Sequence, residues 1–490
     1  MNYIDLLKDF IDNFYFTTYP RDFKLKPGTQ GEDKIIDGDA LDICNRGRFI
    51  QEGLLRGDFY KFGNKHIMTD KVFHRKDAVD FLKSYKKRNQ GSFKSAMKSG
   101  KKVFMEMEMH LVSESAQSYT MFRQGFFDKL FRDKEIVKRI REGRFFIFLY
   151  LGWEADDFRK PERSKDKYHN WYEMFRSVLI DYKLPTNSII IAQSNLLGYE
   201  NEKEYDFKGI KPSMIFDNIT EFQPFKAIAR NHKLYPIYPI EEHFKSLRKS
   251  KHTLLRIHRT WHPHRDAMLY YLYKENYINR SLVQHREFDS HGECIAHRGP
   301  EHHEGFFDYE TDYDMIEKIQ KDIPIKSSEY EQNIELINNH LIMEQQHHIS
   351  NEPIDNSVYE DSVFSWVSPS LPDKRNYIFI NQSTFSPILH YHPILWLGYT
   401  HLIKYFKKCG FKSFDWLFDE SYDDLTSSAK KFKANAKQIN KIMNMDKDYL
   451  IDLMWDNRDT LQHNRDLLIE CRSIERIIRK LYGIVNETEV

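Results

Sequence analysis

Cysteine is scarce in this chain of 490 residues, with Cys44, Cys294, Cys409 and Cys471 the only four. They are widely scattered and form no CxxC pair, which reads as the reduced thiols of an intracellular protein rather than a disulfide framework. Long apolar runs are missing too. Nothing approaches the roughly 20 residues of a membrane span, and the N-terminus MNYIDLLKDFIDNF is amphipathic and acidic, unlike a signal peptide. Charge of one sign is also lacking, because 74 Lys and Arg face 73 Asp and Glu. That balance argues against a protein held to nucleic acid or lipid by its overall charge and leaves only a local basic groove open. No internal repeat or low-complexity tract occurs. The expectation is a soluble, cytoplasmic protein.

What is present is material for cores. Hydrophobic residues make up 40% and aromatics 15%, and the length allows two or three domains. The clearest stretch is Thr253 to Glu275, TLLRIHRTWHPHRDAMLYYLYKE. Leu254, Leu255 and Ile257 predict a short buried strand, and Pro263 suits the first turn of a helix. Met268, Leu269, Tyr271 and Leu272 then recur at helical spacing. Arg259, His262, His264 and Arg265 occupy the turn. A helix N-terminus with unpaired N–H groups favours an anion, and a guanidinium beside it can grip two phosphate oxygens, so a diphosphate is placed here. The plainer alternative is that these arginines sit in water.

Elsewhere the pattern is of strands alternating with helices. Residues 1 to about 140 read as polar helices and loops, and the basic stretch Lys94 to Lys102 reads as a solvated face, with an acceptor-binding patch for modified DNA as the alternative. A basic helical stretch, Lys134 to Arg144, precedes the apolar strand Phe145 to Leu151. Glu154, Asp156 and Asp157 follow at the carboxyl end of that strand, where α/β proteins place ligands. Glu154 is the candidate general base, while Asp156 and Asp157 serve equally well as helix caps. A helix at Trp171 to Tyr182, a strand within Asn187 to Gln193, and short β pieces at Ser213 to Phe216 and Leu234 to Tyr238 complete a first α/β domain. Lys245 to Lys251 reads as a linker into the second. The His-rich stretch from Gln284 to Gly305 offers His291, Cys294 and His297, with His302 or His303, as a zinc alternative to a plain polar loop. Downstream, the sequence predicts a strand at Val363 to Val367, a β segment at Tyr377 to Ile380, a helix at Thr384 to Tyr391 capped by Gln382, Ser383 and Thr384, a strand at Pro393 to Leu397 and a helix at Thr400 to Lys408. Two long helices over Lys430 to Tyr482 close the chain and are placed to brace the first domain.

Three of these segments together resemble a known family. The R-x-x-x-P-H-R run from Arg259 to Arg265, the T-F-x-P-I-x-x-x-x-P-x-x-x-x-G block from Thr384 to Gly398, and GFKSFDWLFDESYD from Gly410 to Asp423 resemble fucosyltransferase-like glycosyltransferases, in their divergent bacteriophage and large-virus form. The resemblance spans roughly residues 140 to 450. It implies an α/β protein of GT-B-like fold with two facing Rossmann-like domains. Residues 141–245 would bind the acceptor and 246–450 the nucleotide sugar, with 1–140 an extension and 451–490 a terminal helix. It implies that Arg265, with Arg259 nearby, holds the diphosphate, and that Glu154 is the base of an inverting, metal-independent transfer, with no cofactor beyond the donor. The acceptor would be a glycan, a protein or modified DNA, and the compartment the host cytoplasm if the chain is viral. The family's Glu-Lys pair is replaced here by Gln382 and Ser383, before Thr384, and its Thr-Glu-Thr by Ser368, Pro369 and Ser370. Gln382 offers weaker contacts to a ribose than a carboxylate, and Ser383 supplies no charge to a leaving diphosphate. Either Arg259, His264 and Lys374 hold the donor instead, or the body has kept its fold and serves as an inactive scaffold.

Overall fold

In the computed structural model of the chain, the residues described are 9, 12–18, 92–109, 123–151, 171–194, 210, 212–217, 239–257, 263–284, 306, 357–368, 378, 380, 382–470 and 472–486. The chain divides into two compact units. One comprises Met1–Phe222 with Glu470–Val490, and the other Gln223–Ile469. The protein is α/β, with a parallel sheet in each unit. No helix among the described residues is long and apolar enough to cross a membrane.

The first unit holds a five-stranded sheet in chain order: β1 (Phe14–Thr18), β2 (Lys102–Met109), β3 (Phe145–Leu151), β4 (Ile189–Gln193) and β5 (Ser213–Phe216). Side chains alternate across each strand, so one face is set by Val103, Met105 and Met107 of β2, Phe145, Ile147 and Leu149 of β3, and Ile189 and Ile191 of β4. Onto it pack α1 (Phe93–Lys98), the turn Arg123–Phe127 with α2 (Asp128–Leu130), α3 (Lys134–Arg141) and α4 (Trp171–Tyr182). The opposite face carries an aromatic cluster in which Phe104 lies 5.6 Å from Phe16 and 5.5 Å from Phe148. Both faces are buried, as parallel strands require.

This corrects the expected division near residue 140. The segment taken for an extension of polar helices and loops supplies β1 and β2, whose ladders run without a break into β3. The strand KVFMEMEM escapes an apolar-run test because Glu106 interrupts it. The described strands of this sheet also follow chain order, without the reversal that marks a Rossmann switch point.

The first described element of the second unit is α5 (Ile240–Leu247), so the expected linker from Lys245 begins inside a helix. A four-stranded sheet follows in the order β7-β6-β8-β9, from β6 (Leu254–Ile257), β7 (Ser281–Gln284), β8 (Phe364–Val367) and β9 (Ile394–Trp396). Between them run α6 (Pro263–Lys274), α7 (Ser357–Glu360) and α8 (Gln382–Leu389), and α9 (Leu402–Lys408) follows. Ile378 and Ile380 are buried but lie in no strand, so the β segment expected there is not formed at the described residues. The C-terminal region is four helices rather than a pair: α10 (Ser428–Met443), α11 (Lys447–Asp456), α12 (Arg458–Glu470) and α13 (Arg472–Asn486). The last of these belongs to the first unit, where it packs on β5. The strand at Leu234 to Tyr238 and the His-rich stretch Gln284 to Gly305 fall outside the described residues apart from Gln284 itself.

Candidate functional site

The order β7-β6-β8-β9 reverses direction between β6 and β8. In an open parallel sheet the loops leaving two such strands diverge to opposite faces, and their carboxyl ends leave a crevice between them. The residues fixed there define the candidate site. Arg265, in the first turn of α6, is 5% exposed, and its Nη2 donates to the Ser368 carbonyl, 2.8 Å away, just past the end of β8. Ser368 Oγ in turn donates to the Leu397 carbonyl beyond β9 at 3.1 Å. Arg256, at the third position of β6, reaches back so that its Nη2 donates to the Arg265 carbonyl. A chain of hydrogen bonds therefore crosses the carboxyl edge of the sheet from β6 through α6 and β8 to β9.

Both guanidiniums are buried with charge. Burial lowers the pKa of Arg256 to about 9, with Asp266 opposing and Arg265 adding to the effect. It lowers that of Arg265 to about 10, against Tyr399 and Asp266. Each still holds its proton at neutral pH. A third cation, Lys431 of α10, is 1% exposed and donates from Nζ to the Gly398 carbonyl at 3.2 Å. The edge is thus rich in fixed positive charge in a low-dielectric setting, where an anion is held more strongly than in water. Sequence reasoning missed Arg256 and Lys431, since an arginine inside a four-residue strand and a lysine in the run KKFK both read as solvent-facing.

Of the residues expected to bind the donor, His264, Arg265 and Thr384 are buried in this unit. Of these, Arg265 bonds across the strand ends. Gln382, Ser383 and Thr384 form the first turn of α8 rather than preceding it, and α8 packs on β8 and β9. Arg259 and Lys374 lie outside the described residues. A Cβ at Gly398 would meet the end of the Leu402 side chain, and the Gly398 carbonyl accepts from Lys431.

The segment Gly410 to Asp423 does structural work here. Asp423 accepts from the backbone N–H groups of Ile403 and Lys404 at 3.1 Å each, capping the start of α9. Burial raises its pKa, and those two bonds oppose the rise. Glu420 accepts from the Phe414 N–H at 2.9 Å and pairs with Lys407 at 3.1 Å. Phe406 stacks on Phe411 at 4.6 Å.

In the first unit Glu154, Asp156 and Asp157 lie outside the described residues. Among the described residues of this unit two other carboxylates are buried. Glu106 of β2 is 0% exposed on the aromatic face, in register with Thr18 and Phe148. Asp217, just past β5, is 5% exposed and meets Arg476 Nη2 at 2.8 Å and Lys480 Nζ at 3.2 Å. The alternation of Met105, Glu106 and Met107 is the signal by which Glu106 is found, because a period of two sends it to the face opposite the methionines. Among the described residues no three His, Cys, Asp or Glu side chains gather as a metal site; His291, Cys294, His297, His302 and His303 lie outside them.

No family model, curated protein or solved structure matches the chain.

Proposed function

We propose that the chain is a glycosyltransferase of GT-B-like fold, fucosyltransferase-like, which takes a sugar from a nucleotide-sugar donor by inversion and without an obligatory metal. The observation that carries this reading is the position of Arg265. It stands in the first turn of the helix after β6, against the end of β8, where the strand order reverses. A diphosphate at that edge meets a guanidinium and the N-terminal N–H groups of α6. Arg259, His264, Gln382, Ser383 and Thr384 complete the donor side. Glu154 takes the proton of the acceptor hydroxyl, whose oxygen attacks the anomeric carbon. The bond to the diphosphate oxygen breaks with its electron pair, and the positive edge stabilises the departing charge.

The test is a thermal-shift screen of the full chain against GDP, UDP, ADP, TDP and CMP, with and without magnesium. A ligand that binds only the native state stabilises it by about 2.7 kcal/mol at 100-fold excess over its Kd. One nucleotide should raise Tm, and Arg265→Lys, which keeps the charge and loses the fork, should weaken that response with the fold retained by circular dichroism. If none of the nucleotides shifts a well-folded sample, the donor site does not exist.

That outcome favours a second reading, a GT-like body without catalysis acting as a structural or binding component. The burial of Arg265 and its bond to the Ser368 carbonyl speak for it. So does the replacement of the family's Glu-Lys pair by Gln382 and Ser383. Under that reading Arg265→Lys lowers Tm and changes nothing else.

A further inference from the structure

The charge balance of the whole chain hides a sharp local imbalance. Helix α10, SAKKFKANAKQINKIM, carries five lysines and no carboxylate. Lys431 is buried, while Lys430, Lys433, Lys437 and Lys441 are exposed. At 100° per residue these four fall within an arc of about 80°, and at 1.5 Å per residue they extend over about 16 Å. They form one straight row. None of the four makes an ion pair among the described residues. Asp419 lies beside the row, its backbone bonded to Gln438, and its pKa is lowered chiefly by its bonds from Ser421 and least by Lys441.

The row cannot slide or rotate, because the other side of α10 is locked into the second unit. Phe432 stacks on Trp366 at 6.2 Å, Asn435 Oδ1 accepts from the Trp366 indole at 3.0 Å, and the Ala436 carbonyl accepts from Tyr271 at 2.8 Å. Four like charges so held repel one another at the cost of some stability, and a partner with regularly spaced negative charge relieves that repulsion.

We infer that the exposed face of α10 docks the phosphate backbone of duplex nucleic acid without reading its sequence. Duplex DNA presents a charge every 3.4 Å along each strand, so about 16 Å of lysine row faces several phosphates at once. Small Ala434 borders the row, and the amides on its two flanks, Gln438 and Asn440, are turned to Asp419 and Tyr277, which leaves the lysine ends to meet the backbone. No aromatic residue lies among them on which an unstacked base could rest, which favours a duplex over a single strand. A lipid surface fits less well. A membrane-surface helix must bury an apolar face in the bilayer, and here Phe432, Ile439, Ile442 and Met443 are already buried in the protein. The inference is independent of the donor site, and it supplies a surface by which modified DNA could be presented as acceptor.

The test measures binding of a fluorescein-labelled 20-base-pair duplex to the full chain by anisotropy between 50 and 200 mM salt. Four phosphate contacts give a slope of log K against log salt of about −3.6. The variant K430Q/K433Q/K437Q/K441Q, all at exposed positions, should weaken binding tenfold or more at 50 mM salt and flatten the slope, with Tm and circular dichroism unchanged. The control K94Q/K98Q on α1 should leave both alone. Affinity and slope unchanged in the α10 variant would overturn the assignment, as would absence of duplex binding at 50 mM salt. Equal competition by polyglutamate, or binding to phosphatidylserine vesicles in place of duplex, would also overturn it in favour of a general polyanion surface.

Discussion

A fully buried histidine is a neutral histidine, and three of the four buried histidines described in the second unit lie together. His243, His390 and His392 are 0%, 3% and 0% exposed. The His243 and His392 rings lie 5.8 Å apart, and His390 stacks on Tyr359 at 4.4 Å. His392 Nε2 stands 2.7 Å from the Tyr359 carbonyl and therefore carries the proton, which leaves Nδ1 to accept from Ser365 Oγ at 3.0 Å. Burial lowers the His392 pKa to about 4, against the raising effect of backbone bonds at Tyr359 and Ser362. His243 and His390 are pushed well below the usual value by burial first, then by neighbouring histidines and Arg465. Around them, from the packed elements, Tyr391, Arg465, Asp466 and Glu241 are the other titratable groups. The unfolded chain binds protons to these histidines from about pH 6.5 downwards and the folded chain does not, so stability is complete above that pH and falls below it. For His392 alone the loss between pH 6.5 and 4 is about 3 kcal/mol. Urea unfolding at pH 7.5, 6 and 5 should show a steep decline, and His243→Phe should flatten it. A stability that does not change over that range would mean the three rings already take up protons in the native state.

At the scale of elements, two joints are held by single carboxylates. Asp423 caps α9 through Ile403 and Lys404, and just before the helix His401 takes the left-handed backbone at φ 65°. Asp423→Ala should cost about 1–2 kcal/mol in urea unfolding, whereas Asp424→Ala, whose side chain is 83% exposed, should cost almost nothing. Asp217 joins β5 to α13 through Arg476 and Lys480, which are 30% and 45% exposed. Because those cations keep part of their hydration, Asp217→Ala should cost about 2 kcal/mol, less than a fully buried pair, and should open α13 to proteolysis first. Much of this level was legible in the sequence. The strands Phe145–Leu151 and Leu254–Ile257 and the helix Trp171–Tyr182 stand where their apolar runs and periodicity place them. What escaped was charge in unusual places. Glu106 hid β2, Lys245 made the end of α5 look like a linker, and the burial of Arg256 and Lys431 depends on backbone carbonyls supplied by residues distant in sequence. The strand-turn-helix setting of Arg265 was legible, but not its bond to Ser368, which joins two residues 103 positions apart.

For the whole molecule, the path of the chain matters more than its length. The second unit, Gln223–Ile469, lies within the sequence of the first, whose last piece is Glu470–Val490. Helix α13 is amphipathic, and its Ile477, Ile478, Leu481 and Val485 are buried. It packs on β5, and Asn187 of the first unit donates to the Ile484 carbonyl at 3.3 Å. A unit that needs residues 470–490 cannot finish folding until everything before them has been made, whereas an insertion bounded by its own contacts can. The excised segment 223–469 should therefore unfold in one cooperative transition with its aromatic packing intact by near-ultraviolet circular dichroism. The chain ended at residue 469 should keep that transition and lose stability in the first unit, because β5 then exposes the apolar surface that α13 covers. If segment 223–469 proves molten while the chain ended at 469 unfolds like the full protein, the first unit folds without α13 and the second depends on residues outside it.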